Sequence, residues 1–348
     1  MSSSLLSSRF LALPKAELHL HLEGSIQPAT VCALGARHGV SLTEQDVRQR
    51  YTYRDFMGFI DAFKWVTSFL HQPADYALVA QDLGEHLLTQ GVVYAEVTLS
   101  VGVMLLRGQQ PEANFEAILG AAEPFESRGL RVNWVFDAVR QFGPAEAMRV
   151  VEAAKSCGSK RIVAFGIGGD ELSMATEDFR PVYEKAAAAR LHLLMHAGEI
   201  GPPEKIREAI ELLGVERIGH GIAAGRDPAL MDFLAQRRIP LEICPQSNIR
   251  TGALAKQLQR EVVRIEDHPL PRLLRHGIPV ALSTDDPAMF QSTLLAEYEN
   301  AARMGLSEEE LTKLAEMSFD YAFLSESGRD SLESGYGPQK AKLNTTSN

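Results

Sequence analysis

A short run near the start of the chain, AELHLHLEGS (Ala16 to Ser25), puts two histidines one residue apart among apolar neighbours. On a β-strand successive side chains alternate faces, so His19 and His21 point to one side and Leu18, Leu20 and Leu22 to the other. Two imidazoles on one face can grip a metal ion. Further along, MHAGE carries His196 and Glu199, RIGHG carries His220, and STDDP carries Asp285 and Asp286. Singly, each has an ordinary structural explanation. A lone strand histidine is usually a hydrogen-bonded core residue, and Asp-Asp before Pro is usually a turn or a helix cap. Together they supply three imidazoles and a carboxylate, with further acids and a histidine left over. That is the donor set of a catalytic Zn²⁺ site with one open position.

For these residues to meet, the elements that carry them must converge. Apolar or β-branched runs start at Ala16, Val92, Arg131, Arg161, Leu191, Arg217, Ile239 and Ile278, which makes eight candidate strands. Between most of them lie helical patterns, such as 75–91, 144–158, 202–214 and 227–237, with Asp or Pro at the start and Gly at several ends. Strand and helix alternate throughout, which implies a parallel sheet with right-handed crossovers. Eight such units suit a closed (β/α)8 barrel of the α/β class better than an open doubly wound sheet. Chemistry in such a barrel sits at the C-terminal ends of the strands, where these histidines and aspartates fall. The stretch from Ile26 to Asp75 is too long for one barrel helix and contains the aromatic-rich YTYRDFMGFIDAFKWVTSFL. It reads as helices inserted after the first strand and laid over the barrel mouth, a candidate lid. At their spacing, Phe59, Phe63, Trp65 and Phe69 fit helix core better than substrate contact.

Hydrophobic residues make up 45% of the 348 and charged residues 23%, the usage of a soluble globular protein. No linker interrupts the chain, so a single domain is expected over 10–330, with 1–9 and 331–348 as flexible tails. The net charge of -10, without any basic run, argues against nucleic acid or an anionic membrane as partner and for a small molecule. Cys32, Cys157 and Cys244 are odd in number and far apart, as befits reduced thiols. No apolar run approaches a bilayer span, and the opening MSSSLLSSRFLALP lacks a basic leader segment. A cytoplasmic location is expected.

Five motifs, PKAELHLHLEGS, GGDE, HAGEIGP, ERIGHGI and STDDP, resemble in order and separation those of the adenosine deaminase family of zinc aminohydrolases, from about Pro14 to Phe323. The resemblance implies a (β/α)8 barrel holding one zinc, with His19, His21, His196 and Asp285 as ligands. Zinc would lower the pKa of a water toward 7. His220 would accept that water's proton or stabilise the hydroxide as it attacks C6 of a purine. Glu199 would protonate N1, opening the ring as an electron sink, a task for a carboxyl of raised pKa. Asp286 would face N7, which only accepts hydrogen bonds, so its carboxyl must hold or share a proton. The Gly169 N–H would meet N3; on residue type alone, GIGGDE is a Gly-rich turn.

Family members acting on adenosine usually carry Asp where this chain has Glu23. Glu resembles the relatives that deaminate adenine or 6-aminodeoxyfutalosine, an adenosine derivative with a benzoate on its 5′ side. One extra methylene can shift preference by roughly 10-fold. FIDAFKWVTSFL and FDAVRQFG also resemble the aminodeoxyfutalosine-type branch. Arg140 closes the third strand, and a guanidinium facing the pocket would suit a substrate carboxylate. For Glu23 and Arg140 alike, pairing with a rim residue is the structural alternative. The expected activity is zinc-dependent hydrolytic deamination of a 6-aminopurine nucleoside, adenosine or a 5′-modified adenosine such as 6-aminodeoxyfutalosine. Its setting would be purine nucleoside metabolism or menaquinone synthesis. Adenine deamination, or another mononuclear zinc amidohydrolase, is the alternative.

Overall fold

The computed structural model describes residues 10–324; the tails expected at 1–9 and 331–348 lie outside them. All eight expected strands form: β1 Lys15–His21, β2 Val92–Leu99, β3 Arg131–Val139, β4 Ile162–Gly168, β5 His192–Ala197, β6 Arg217–His220, β7 Leu241–Ile243 and β8 Val280–Leu282. They pair in parallel and in sequence order. Just past β8, the His21 N–H donates to the Asp285 carbonyl at 2.8 Å and the Asp285 N–H to the His19 carbonyl at 3.0 Å. Those two bonds bring the last strand end beside the first, and the eight strands make a nearly closed (β/α)8 barrel.

Helices cover the outside, so the strands are buried on both faces and read as almost continuous apolar runs. All of β2 is buried. The helices Gly143–Cys157 and Pro203–Leu213 carry proline in the first turn, at Pro144 and Pro203, and stop at Gly158 and Gly214, each in the left-handed conformation. Proline in the first turn gives up an N–H that would have had no partner, and glycine ends the helix without a Cβ clash. Charges within the barrel are paired. Arg217 donates to Glu242 at 2.6 Å and to Glu96, which also accepts from Tyr94 at 2.7 Å. Such pairing offsets much of the cost of taking the ions out of water.

The long stretch after β1 folds as α1 Pro28–Arg37, α2 Glu44–Arg50, α3 Phe56–Thr67 and α4 Pro73–Thr89. Side-chain caps fix where the middle pair begins: Thr43 accepts from the Asp46 N–H, and Asp55 from the Gly58 N–H. Helix α3 lies against the mouth of the barrel, where Phe56, Phe59, Ile60, Phe63 and Lys64 line the cleft. The helix-core expectation for its aromatics holds in part. Trp65 and Phe69 pack edge-on to each other at 5.2 Å, whereas Phe59 and Phe63 reach the cleft.

Candidate active site

The cleft at the C-terminal ends of the strands gathers the polar residues that the sequence singled out. His19 and His21 come from β1, His196 from β5, His220 ends β6, and Asp285 and Asp286 follow β8. Nitrogen and oxygen donors of His19, His196, His220 and Asp285 all lie within 4.8 Å of one another. His21 adjoins them, its Nε2 3.3 Å from Asp285 Oδ1 and its ring 5.3 Å from that of His19. The tightest foursome thus contains His220 in place of His21. Gly219 makes room for the cluster, since a Cβ there would stand 2.9 Å from the His19 ring. His220 and Asp285 hold left-handed backbone angles, φ 60° and 66°, a strain that collects where surroundings fix a functional group.

A metal fits this set. Glu242 Oε2 stands 2.7 Å from His19 Nδ1, while His19 Nε2 is buried, without a hydrogen-bond partner, and 3.5 Å from Asp285 Oδ1. A carboxylate on one nitrogen keeps the proton there and leaves a bare lone pair on the other, the arrangement of a metal-ligating histidine. Ser247 donates to Asp285 Oδ2 at 2.6 Å and so orients the carboxylate.

Two carboxyls are pushed toward their protonated forms. Burial, with the charges of Asp285 and Glu171 added, pushes Glu199 well above the usual carboxylate range. Its turn is built by Glu171, which accepts from the N–H groups of Gly198, Glu199 and Ile200 at 2.6, 2.8 and 2.8 Å. Gln257 donates to the carbonyls of Glu199 and Gly201, both at 2.7 Å. Burial and then the neighbouring Asp285 raise Asp286 as well, and its Oδ1 has no partner. Gly24 lies against it: a Cβ there would be 1.7 Å from Asp286 Oδ1. Burial also pushes His220 and His268 down to about 3, so both rings are neutral.

The remaining expected contacts divide. Gly169 lines the cleft, at φ +95°. Glu23 is buried behind the wall, where its Oε1 accepts from the Ser100 N–H at 3.0 Å, and Ser100 is the residue that lines the cleft. Arg140 faces away from the pocket. It is 1% exposed, with Nη2 3.0 Å from Met195 Sδ and its guanidinium 5.7 Å from the centre of the Phe179 ring. The chain turns into a 3-10 segment at Arg140, so Val139 and Gln141 reach the cleft instead. Sequence reasoning missed Glu171, Glu242, Ser247, Asn248 and Asp137, a cleft residue that burial pushes up to about 8. Glu171 and Asp137 lay inside the quoted motifs GGDE and FDAVRQFG, where the fourth and second letters were the signal.

The profile of the adenosine deaminase family matches residues 14–336. The chain is 37% identical over 324 residues to aminodeoxyfutalosine deaminase of Streptomyces coelicolor, covering 91% of this chain and 82% of that protein. It is 34% identical to adenosine deaminase of Salmonella typhi, covering 92% and 97%. Among solved structures, adenine deaminase of Arthrobacter aurescens superposes with a TM-score of 0.85 at 30% identity, covering 92% and 97%. Among the described residues no helix is long and apolar enough to cross a membrane. Barrel, cleft and likeness agree: the chain belongs to the adenosine deaminase family and is a hydrolase that deaminates aminopurine compounds.

Proposed function

We propose that this protein hydrolyses the 6-amino group of a purine nucleoside to the 6-oxo product and ammonia, using one zinc ion held by His19, His21, His196 and Asp285. The observation that carries the reading is the bare Nε2 of His19, set by Glu242, in a cleft that also pushes the Glu199 carboxyl well above the usual carboxylate range. The motif match supports His21, rather than His220, as the third imidazole ligand. When bound, zinc supplies a water that is nucleophilic at neutral pH.

The chain's own residues do the rest. Glu199 gives its proton to N1, so that electron density drains from C6 as water attacks there. Protonated Asp286 donates to N7, an acceptor, and the Gly169 N–H faces N3. His220, its Nε2 3.8 Å from both Glu199 and Asp285, flanks the attacking oxygen. Glu23 fixes the cleft residue Ser100 through its backbone N–H.

Phe56, Phe59 and Phe63 at the mouth, with the likeness to aminodeoxyfutalosine deaminase, support a nucleoside bearing a bulky 5′ group. 6-Aminodeoxyfutalosine is such a substrate, and turning it over would place the enzyme in menaquinone synthesis. The test is kcat/KM of the zinc-loaded protein on adenine, adenosine, a 5′-substituted 5′-deoxyadenosine and 6-aminodeoxyfutalosine, followed by loss of the 6-aminopurine absorbance. The 5′-extended nucleosides should lead by at least 10-fold. Equal or better turnover of free adenine would contradict the nucleoside reading.

A further inference from the structure

His220 has two ring nitrogens, and which one bears the proton decides whether it can accept a proton from the cleft or only donate one. We infer that a buried relay of His268 and Asn248 locks His220 with its proton on Nε2, so that it acts in the cleft as a hydrogen-bond donor. His268 and Asn248 are thereby positioning residues. The inference rests on the proposed deaminase site only for the role of the donor, not for the lock itself.

The relay starts at a group that can do nothing but donate. The backbone N–H of Leu270 lies 3.1 Å from His268 Nδ1, which must therefore offer a lone pair. A neutral imidazole then carries its hydrogen on Nε2, and that nitrogen lies 3.2 Å from the side-chain oxygen of Asn248. The other end of the same amide, Nδ2, lies 3.1 Å from His220 Nδ1 and can only donate. His220 Nδ1 is thus an acceptor, and its hydrogen sits on Nε2, the nitrogen turned toward Glu199 and Asp285. Side-chain amides are easily assigned the wrong way round. Here the reverse orientation would need the hydrogen of His268 on Nδ1, facing the Leu270 N–H donor to donor. His220, Asn248 and His268 are 1%, 0% and 4% exposed, so solvent does not reset the relay.

Two consequences follow for the reaction. An Nε2 that already bears hydrogen has no lone pair for a metal, which removes His220 from the ligand set despite its place in the tightest cluster. Nor can it take the water's proton at that nitrogen; that proton goes to the Asp285 carboxylate, 3.8 Å from His220 Nε2, and from there to the amine that leaves as ammonia. Instead His220 donates to a lone pair of the attacking oxygen and orients the other lone pair toward C6.

The experiment is ¹⁵N NMR of the histidine rings in the zinc-loaded protein, with the His220 ring assigned in the wild-type protein by through-bond correlation to its own backbone amide. The relay predicts a protonated Nε2 and a bare Nδ1 for His220. Asn248→Asp keeps the shape but replaces the donor with an acceptor, so it should move the hydrogen to Nδ1 and lower kcat by roughly 100-fold, with KM and zinc content close to wild type. His268→Leu should lose turnover, and His268→Gln, whose amide can accept from Leu270 and donate to Asn248, should recover most of it and the Nε2–H signature. A wild-type His220 protonated on Nδ1 overturns the inference, and that spectrum decides even where a variant fails to fold. An Asn248→Asp protein that switches nitrogen yet keeps its kcat overturns the donor role. Finding the Nε2–H signature in a protein that deaminates no aminopurine would leave the lock standing and sink the deaminase reading.

Discussion

At the scale of single residues, burial shifts the proton affinities of the groups in the site away from their values in water. The Glu199 carboxyl is pushed well above the usual carboxylate range because it is buried beside the charges of Asp285 and Glu171, which suits the acid role proposed for it. Glu199→Gln should therefore keep zinc and substrate binding while kcat falls by about 10²- to 10⁴-fold, read from steady-state kinetics beside metal analysis. A raised carboxyl pKa means that the protonated form persists to higher pH than for a free glutamate and disappears as pH rises through that value. Glu171→Gln removes one of the charges that raise it. The alkaline limb of the kcat/KM profile should accordingly move to lower pH, and a limb that stays or moves up would break the assignment of Glu199 as acid. Gly24 makes a claim on space rather than charge. With 1.7 Å between a built Cβ and Asp286 Oδ1, Gly24→Ala must displace the carboxyl proposed to face N7. A loss of 10-fold or more in kcat/KM, with zinc retained, is the expected outcome.

At the scale of elements, the strands were legible because most of their residues are buried and they read as largely apolar runs with polar residues at their ends. RVNWVFDAV and VVYAEVTL match β3 and β2 residue for residue. The residues proposed to hold the metal were legible for the same reason: imidazoles and a carboxylate stand out at the ends of apolar strands. What surrounds them was not. Arg140 follows β3 directly, and period-two counting aims it at the pocket; a 3-10 turn beginning at that residue sends the guanidinium to Met195 and Phe179. Glu242, Asn248 and His268 act through partners far along the chain, and spacing carries no trace of such contacts. Helix α3 is the element whose role differs most from its sequence pattern, since Phe59 and Phe63 serve the cleft as well as the core. Phe63→Ala should raise KM for a nucleoside with an aromatic 5′ group by roughly 10-fold and leave adenine nearly unchanged. An equal effect on both substrates would return α3 to a purely structural role.

At the scale of the whole molecule, the barrel brings residues from β1, β5 and the end of β8 to one point, so a metal there ties together strands far apart in sequence. A ligand that binds only the folded chain stabilises it, by about 4 kcal/mol at a thousandfold excess over its Kd. Chelation should consequently lower Tm by several degrees, with recovery on adding zinc back. His19 is also the end of a buried chain that runs through Glu242 to Arg217 and Glu96. The same ion pairs that fill the barrel thus orient His19, and fold and site share one set of contacts. The central claim is tested most directly by crystals of the zinc-loaded protein measured on either side of the zinc absorption edge. One anomalous peak per chain, in contact with His19, His21, His196 and Asp285 and without a bond to His220, is the predicted result. A peak ligated by His220 in place of His21, two peaks, or none would contradict the account.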